Sequence, residues 1–513
     1  MSSSPLLLDR VYHWEKSAPD QLYMTQPVGG ARVEEFTWKR TLDEARRMAS
    51  YIAAQNFPTG SRIGILSKNC AHFIMSDLAI WMAGHVSVAL YPTLAADTVE
   101  YCLQHSDVKL LFVGKLDGWE HMKPGVPASM HCVSYPLSPK NDYPTWDTII
   151  KEHQPLSGTP NRPADDLAII VYTSGSTGQP KGVMHSFGTM SVAARNFVEM
   201  FGVNKSDRFI SYLPLAHVFE RAAIECLSIF SGGQVFFADS LDTFVEDIKR
   251  ARPTLFQSVP RLWLKFQLGV FTKMPPKKLG RLLKIPILNN IVRKKVLTGL
   301  GLQDTRIAIS GSAPIPPELV GWYRSLGLEL LEGYGMSENF CYSHMARPGR
   351  ARPGYVGEPD PGCEVRISDV GEILVKSPAD MLGYYLDEER TKESFTEDGF
   401  LKTGDRGEED ELRRLKITGR VKELFKTSKG KYVAPAPIEN LINTNPNVEV
   451  SCVSGSGRPA AYASIMLAPD KKAKLSDPAA KAAITEELSA LLDGVNSKIE
   501  NYEEMQFFVV VKD

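Results

Sequence analysis

No apolar run in this chain is long enough to cross a bilayer; the longest candidate, residues 78–91, is broken by Gly84, His85 and Ser87. Cys-x-x-Cys spacing is missing as well. The seven cysteines, Cys70, Cys102, Cys132, Cys226, Cys341, Cys363 and Cys452, are scattered and odd in number, which points away from zinc or disulfide architecture and suits reduced thiols in a cytosol. A dominant charge is also lacking: 59 Lys and Arg face 60 Asp and Glu, a formal net charge of −1, so no global field calls for nucleic acid and any basic site must be local. Residues 1–10 open without a basic start and carry only a three-leucine stretch, so no secretory signal is expected. These absences predict a cytoplasmic protein with no nucleic-acid partner.

At 513 residues the chain exceeds a single core, and two or more domains are expected. From residue 62 onward strand and helix patterns take turns: strand at 63–66, helix near 71–83, strand at 86–90, helix at 96–104, strand at 110–113. Such alternation predicts an α/β fold of mainly parallel sheets covered by helices. Residues 137–166, rich in proline, glycine and acids, read as a loop. Behind the apolar run 167–172 comes Thr173-Ser174-Gly175-Ser176-Thr177-Gly178-Gln179-Pro180-Lys181-Gly182, with a helix expected over 189–201. Glycines let backbone N–H groups turn toward an anion, the hydroxyls add donors, and Lys181 adds a mobile positive charge. This is no Walker A loop, because Gln179 and Pro180 separate Gly178 from Lys181 and a glycine follows the lysine. Taken alone, the stretch reads equally as an exposed polar turn. Further strands are expected at 208–211, 235–238, 255–258 and 306–310, then short strands at 364–368, 371–376 and 412–418. A boundary near 419–422 divides a large N-terminal domain, 1–421, from a small C-terminal α/β domain, 422–513, joined by a hinge.

One segment departs from the neutral average. Residues 261–301 contain ten Lys and Arg and no acid, interleaved with Trp263, Leu264, Phe266, Leu268, Phe271, Leu282, Leu283, Ile285 and Leu288. Basic and bulky apolar residues together read as a peripheral membrane-surface element. A solvated helix pair kept soluble by its lysines is the other reading.

Six segments in order carry more than any one alone. They are the opening loop; Leu213-Pro214-Leu215-Ala216-His217-Val218-Phe219-Glu220; Ser310-Gly311-Ser312-Ala313-Pro314 after one strand; Gly333-Tyr334-Gly335-Met336-Ser337-Glu338 after another; Lys402-Thr403-Gly404-Asp405 before a third; and Gly419-Arg420-Val421-Lys422-Glu423. Together they resemble the ordered signature of the adenylate-forming superfamily of acyl-CoA synthetases, luciferases and peptide-synthetase adenylation domains, over nearly the whole chain. The wording of 213–220 and of 425–435 is most similar to bacterial long-chain fatty acyl-CoA synthetases.

The resemblance implies ATP-dependent activation of a fatty acid through an acyl-adenylate to the thioester of coenzyme A, releasing AMP and pyrophosphate. Thr173, Ser174, Gly175, Ser176, Thr177, Gly178 and Lys181 would hold the β- and γ-phosphates. Glu338 would ligate Mg²⁺, with Ser337 near the α-phosphate; Tyr334, flanked by Gly335, would lie against adenine, and Gly311, Ser312 and Ala313 would present backbone to the base. Asp405 would accept both ribose hydroxyls and Arg420 would support ribose or phosphate. Lys422 matches the hinge, His217 the gate between acyl and thiol approaches, and Lys426, Gly430 and Lys431 the surface that meets nucleotide and pantetheine during thioester formation. An aryl- or medium-chain acyl-CoA ligase, or a ligase delivering acyl-adenylate to a carrier protein, is the alternative within the same class. One departure stands out: the family's adenylation lysine, expected beyond the apolar strand Phe507-Phe508-Val509-Val510-Val511, has no match, so the first half-reaction is expected to be severely slowed. A shortened sequence explains this most simply, and a nucleotide- or acyl-CoA-binding protein that has lost turnover is the alternative.

Overall fold

The computed structural model describes residues 4–173 and 178–511. A seven-stranded sheet runs in the order Gly383–Tyr384, Lys181–Ser186, Leu167–Thr173, Val86–Leu90, Arg62–Leu66, Val108–Val113 and Cys132–Ser134. Its last five strands are parallel, while Lys181–Ser186 pairs antiparallel with both neighbours. Two more sheets share the large core: Val33–Thr37, Leu22–Pro27, Gln234–Phe237 and Arg208–Ser211; and Leu255–Ser258, Ile307–Ser310, Leu330–Tyr334, His344–Met345 and Glu358–Pro359. Between layers lies the helix Ala71–Met82, all twelve of whose residues are buried. A helix buried on every face is an interior one, and its Phe73, Leu78 and Trp81 join Trp38, Tyr135 and Trp146 in one continuous core.

A fourth sheet is an antiparallel meander, Glu364–Ile367, Glu372–Lys376, Leu401–Glu409 and Leu415–Arg420. Beyond it, Val448–Ser454, Ala461–Leu467 and Met505–Val511 form a three-stranded sheet covered by the helices Pro435–Ile442 and Pro478–Asn496. Their side chains, from Val433 through Ile465 to Met505, make a separate core. Lys498 reaches Glu318 of the large body at 3.6 Å, and Arg261 pairs with Glu449.

Four local expectations are corrected. The loop read over 137–166 contains a helix, Trp146–Glu152, capped by the Thr145 side chain and anchored by the fully buried Trp146; seven residues give too few turns for a readable period. The glycine-rich loop leads into a second strand, not directly into a helix. Helix Phe187–Phe201 begins only after Lys181–Ser186, its N-terminus closed by Ser186 and Thr189, each accepting the other's backbone N–H. Lys402, Thr403, Gly404 and Asp405 lie within the strand Leu401–Glu409. The basic segment forms three helices, Pro260–Lys273, Pro276–Leu283 and Pro286–Leu300, each with proline in its first turn.

Candidate active site

The hairpin of Leu167–Thr173 and Lys181–Ser186 sets the site. Thr173 pairs with Lys181 across it, which places Lys181 at the start of the returning strand. Ser174, Gly175, Ser176 and Thr177 lie outside the described residues; Gly178 takes a left-handed φ of +88° that suits glycine.

Lys181 does not point into solvent. Its Nζ donates to Glu338 Oε1 at 2.7 Å and to Tyr384 Oη at 2.7 Å, and the Tyr384 hydroxyl donates to the same Glu338 oxygen at 2.6 Å. Glu338 is only 6% exposed. Burial works against its ionisation, yet the charge and hydrogen bond of Lys181 and the Tyr384 hydroxyl prevail, holding the carboxyl below its usual range. The glutamate rides on a single 3₁₀ turn, Ser337–Asn339. That turn is fastened from behind by buried His185, whose Nε2 lies 2.7 Å from the Ser337 carbonyl and whose pKa burial pushes down to about 4. Met381 N–H donates to the Glu338 carbonyl at 2.7 Å. Gly335 is required where the chain doubles back, since a Cβ there would sit 2.4 Å from the Cys341 carbonyl carbon.

A second polar group is built where the strands Leu330–Tyr334 and Leu415–Arg420 end beside the middle of Leu401–Glu409. Tyr334 Oη donates to Asp405 Oδ2 at 2.7 Å, and Arg420 Nε lies 3.2 Å from Asp405 Oδ1, the two residues being direct register partners. Burial raises the Asp405 carboxyl, with Tyr334 and Arg420 opposing the shift. Tyr334, expected only as a ring for adenine, therefore also orients the ribose-binding candidate. Gly311, at the end of Ile307–Ser310, donates its N–H to the Ser258 carbonyl, and Ser312 beside Ala313 adopts a left-handed φ of +67°. A side chain at Gly311 would touch the Phe219 ring at 3.5 Å.

His217 caps the short helix Val218–Glu220 by accepting Phe219 N–H on Nδ1, which fixes Nε2 as the protonated nitrogen of a neutral ring. Burial lowers its pKa. Its loop is clamped by Asn69, which donates to the Ser211 hydroxyl and the Leu213 carbonyl and accepts Leu215 N–H. Asn69, His185 and Tyr384 are not singled out by the sequence pattern. A tyrosine in a two-residue strand leaves no periodicity, although the Gly383-Tyr384-Tyr385 run offered a local cue.

On the small body, Lys426 and Tyr432 lie on the hairpin Phe425–Lys426 and Tyr432–Val433. Lys426 Nζ sits over the Tyr432 ring at 5.4 Å, and Lys431 Nζ over Tyr502 at 5.8 Å, beside Gly430 with a φ of +79°. Among the described residues, no hydrogen bond or ion pair joins Lys426, Gly430 or Lys431 to Lys181, Glu338, Tyr334 or Asp405. No three His, Cys, Asp or Glu side chains of the described residues cluster as a metal cage. A lone carboxylate beside the candidate phosphate-binding Lys181 is a donor set that fits Mg²⁺, which keeps water and substrate phosphates as its other ligands.

This α/β architecture is that of solved adenylate-forming enzymes. The chain superposes on anthranilate CoA ligase AuaEII in complex with anthranoyl-AMP with a TM-score of 0.80 at 20% identity, over 100% of this chain and 94% of that one. With ATP-bound MatB from Rhodopseudomonas palustris the TM-score is 0.76 at 25% identity, over 99% and 95%. The AMP-binding enzyme family matches residues 12–385, and the AMP-binding enzyme C-terminal domain matches residues 423–512. The chain belongs to the AMP-binding enzyme family. Among its relatives, fatty acyl-CoA synthetase A of Dictyostelium discoideum is 32% identical over 80% of this chain and 68% of its own length. Peroxisomal long chain acyl-CoA synthetase 6 of Arabidopsis thaliana is 33% identical over 77% and 63%, so the chain spans under two thirds of that protein. Long-chain-fatty-acid–CoA ligase FadD15 of Mycobacterium bovis is 29% identical over 90% and 82%.

Proposed function

We propose that this protein is an AMP-forming acid–thiol ligase that activates a long-chain fatty acid with ATP and transfers it to coenzyme A. The carrying observation is that Lys181 and Glu338, 157 residues apart, meet at 2.7 Å at the exit of the glycine-rich loop. A cation for phosphate and a carboxylate for a hard metal are what phosphoryl chemistry needs side by side. In the reaction a carboxylate oxygen of the acid attacks the α-phosphorus of ATP, the bond to the bridging oxygen breaks, and pyrophosphate leaves. The thiol sulfur of coenzyme A then attacks the acyl carbon, the thiol proton is lost to solvent and AMP departs. Lys181 and the loop backbone neutralise charge gathering on the pyrophosphate, and Ser337 lies near the α-phosphate. Mg²⁺, held through Glu338, would draw electron density from the phosphate oxygens. Tyr334 and Gly311, Ser312 and Ala313 take the adenine; Asp405, oriented by Tyr334 and Arg420, takes the ribose; neutral His217 guards the route between acyl and thiol.

The large body, 1–421, carries these groups, and the small one, 422–513, turns about Lys422 to bring Lys426, Gly430 and Lys431 to the nucleotide for the second step. Fatty-acid-dependent ATP–pyrophosphate exchange and acyl-CoA formation test the reaction, with acids of graded chain length and aryl acids in competition, and coenzyme A against a carrier protein. Because the first half-reaction is expected to be slow, the refuting result is that no thioester forms from coenzyme A and a supplied fatty acyl-adenylate; preference for an aryl acid or a carrier refutes the substrate assignment.

A second reading concerns where this work is done: in the cytosol, against an anionic membrane surface. Its basis is the acid-free segment 261–301, where Ile287 is 81% and Ile291 61% exposed on the helix Pro286–Leu300, with Ile285 and Leu288 beside them and exposed Lys277, Lys278, Arg281, Lys284, Lys294 and Lys295 around them. No helix among the described residues is long and apolar enough to cross a membrane, so the contact is peripheral. Flotation with vesicles containing anionic lipid, but not with neutral ones, is expected, and the double variant I287E/I291E is expected to abolish it. Equal, negligible flotation in both lipids refutes the reading.

A further inference from the structure

We propose that Tyr384 is a positioning residue for the metal-binding carboxylate of Glu338. The assignment rests on the adenylating function proposed above and adds a residue that the motifs leave out. Tyr384 sits in the edge strand Gly383–Tyr384, paired with Lys181–Ser186 so that Tyr384 faces Val183. Residues two apart on a strand share a face, so its phenol lies diagonally across from Lys181 on the same side of the sheet. Its hydroxyl has one proton, which goes to Glu338 Oε1 at 2.6 Å, and its oxygen accepts from Lys181 Nζ at 2.7 Å. Lys181 thereby spends two of its three donors on this triangle and keeps one for phosphate.

When an incoming phosphate draws Lys181 away, a carboxylate only 6% exposed needs another partner. Tyr384 is that partner, and it does not move with the lysine, because Met381, three residues upstream, binds the Glu338 backbone as well. Glu338 is thus held at its backbone carbonyl and at Oε1 by one short segment. Position of the carboxylate becomes independent of where Lys181 points.

The test is calorimetric binding of ATP to the full chain, with Mg²⁺ and with excess EDTA. Y384F removes the hydroxyl and keeps the ring that lies 4.4 Å from Lys181 Nζ. A hydrogen bond to a charged group is lost, so affinity for Mg–ATP is expected to fall about tenfold or more, and metal-free ATP affinity by less than about twofold. In an E338Q background, Y384F is expected to change Mg–ATP affinity no further, because its effect runs through the carboxylate. Equal weakening of both nucleotide forms, no weakening of either, or a full Y384F loss persisting in E338Q each overturns the assignment. Wild-type protein that binds no ATP in either condition overturns the adenylating reading itself, and this assignment with it.

Discussion

Asp405 offers the sharpest test of how the nucleotide is read. Its side chain is 15% exposed, and in the free protein each oxygen already has one partner, Tyr334 on Oδ2 at 2.7 Å and Arg420 on Oδ1 at 3.2 Å. A carboxylate has about four lone-pair sites, so two remain for the ribose 2′- and 3′-hydroxyls. D405A removes both acceptors. Hydrogen bonds to a charged group are worth about 1.5–3 kcal/mol each. Because they share one carboxylate they are not independent, and a combined loss of about 3 kcal/mol, roughly two decades in Kd, is expected. D405N keeps one carbonyl oxygen and is expected to lose about one decade. Calorimetric titration with AMP and with 2′,3′-dideoxy-AMP separates ribose recognition from general damage: the dideoxy nucleotide should bind wild type and D405A alike. A loss of the same size for both nucleotides, or D405A binding AMP like wild type, refutes the role. The same group sets a pH edge. Burial raises the Asp405 carboxyl, so AMP affinity of the wild type should begin to fall, on acidification, at a pH above that of an ordinary carboxylate, and D405N should flatten the curve.

Three further outcomes are expected. K181M leaves Glu338 ionised and nearly buried without its cation, so the variant should lose on the order of 3 kcal/mol of stability to urea, and K181M/E338Q should recover much of that; no recovery refutes the pairing as a source of stability. G335A sets a Cβ against the Cys341 backbone, which cannot swing away, so the turn bearing Ser337 and Glu338 should shift and Mg–ATP binding should be lost while thermal unfolding stays cooperative; unaltered binding refutes the close approach. Glu332, in the strand beneath the site, is pushed up by burial to about 8. A raised folded pKa contributes stability that is full below the unfolded value near 4.5 and is lost as pH rises through 8. Wild-type Tm should therefore fall between about pH 5 and 8 more steeply than that of E332Q, whose side chain is neutral throughout; parallel curves refute this.

What the sequence made legible follows from local periodicity. The run Val-Ser-Val-Ala-Leu over 86–90 is bounded by Gly84 and by Pro92, and the strand Val86–Leu90 occupies those residues. Helix Ala71–Met82 needed only its apolar content and length. Lys181–Ser186, by contrast, reads Lys-Gly-Val-Met-His-Ser, with no clean alternation and a glycine second; it is a strand because Leu167–Thr173 and Gly383–Tyr384 supply its hydrogen-bond partners. Site chemistry divides the same way. Residue types suggested phosphate handling and the family resemblance alone suggested ribose at Asp405, but no spacing within one segment tells that Lys181 touches Glu338 or that Tyr334 gives its hydroxyl to Asp405. Those contacts join segments 157 and 71 residues apart, and only the ordered motifs, through the family they resemble, anticipated that the segments meet.

Both polar groups of the site are satisfied before any nucleotide arrives, which decides how binding has to work. Lys181 is neutralised by Glu338, and Asp405 by Arg420 and Tyr334. A polyanion entering such a site gains little simply from meeting a positive charge, since that charge is already spent. On the reading proposed above, binding is an exchange: Lys181 turns its attraction toward phosphate, Tyr384 keeps its hydrogen bond to Glu338, and a cation takes up the charge of the carboxylate. Arg420 is different. Its side chain is 63% exposed, so it can leave Asp405 for phosphate or solvent at small cost, whereas Glu338 at 6% exposure cannot be abandoned cheaply. A divalent cation arriving with the nucleotide meets that need in one step. On the reading proposed above, a call for a metal would arise from the charge balance of Lys181 and Glu338 themselves, apart from any demand made by the transition state.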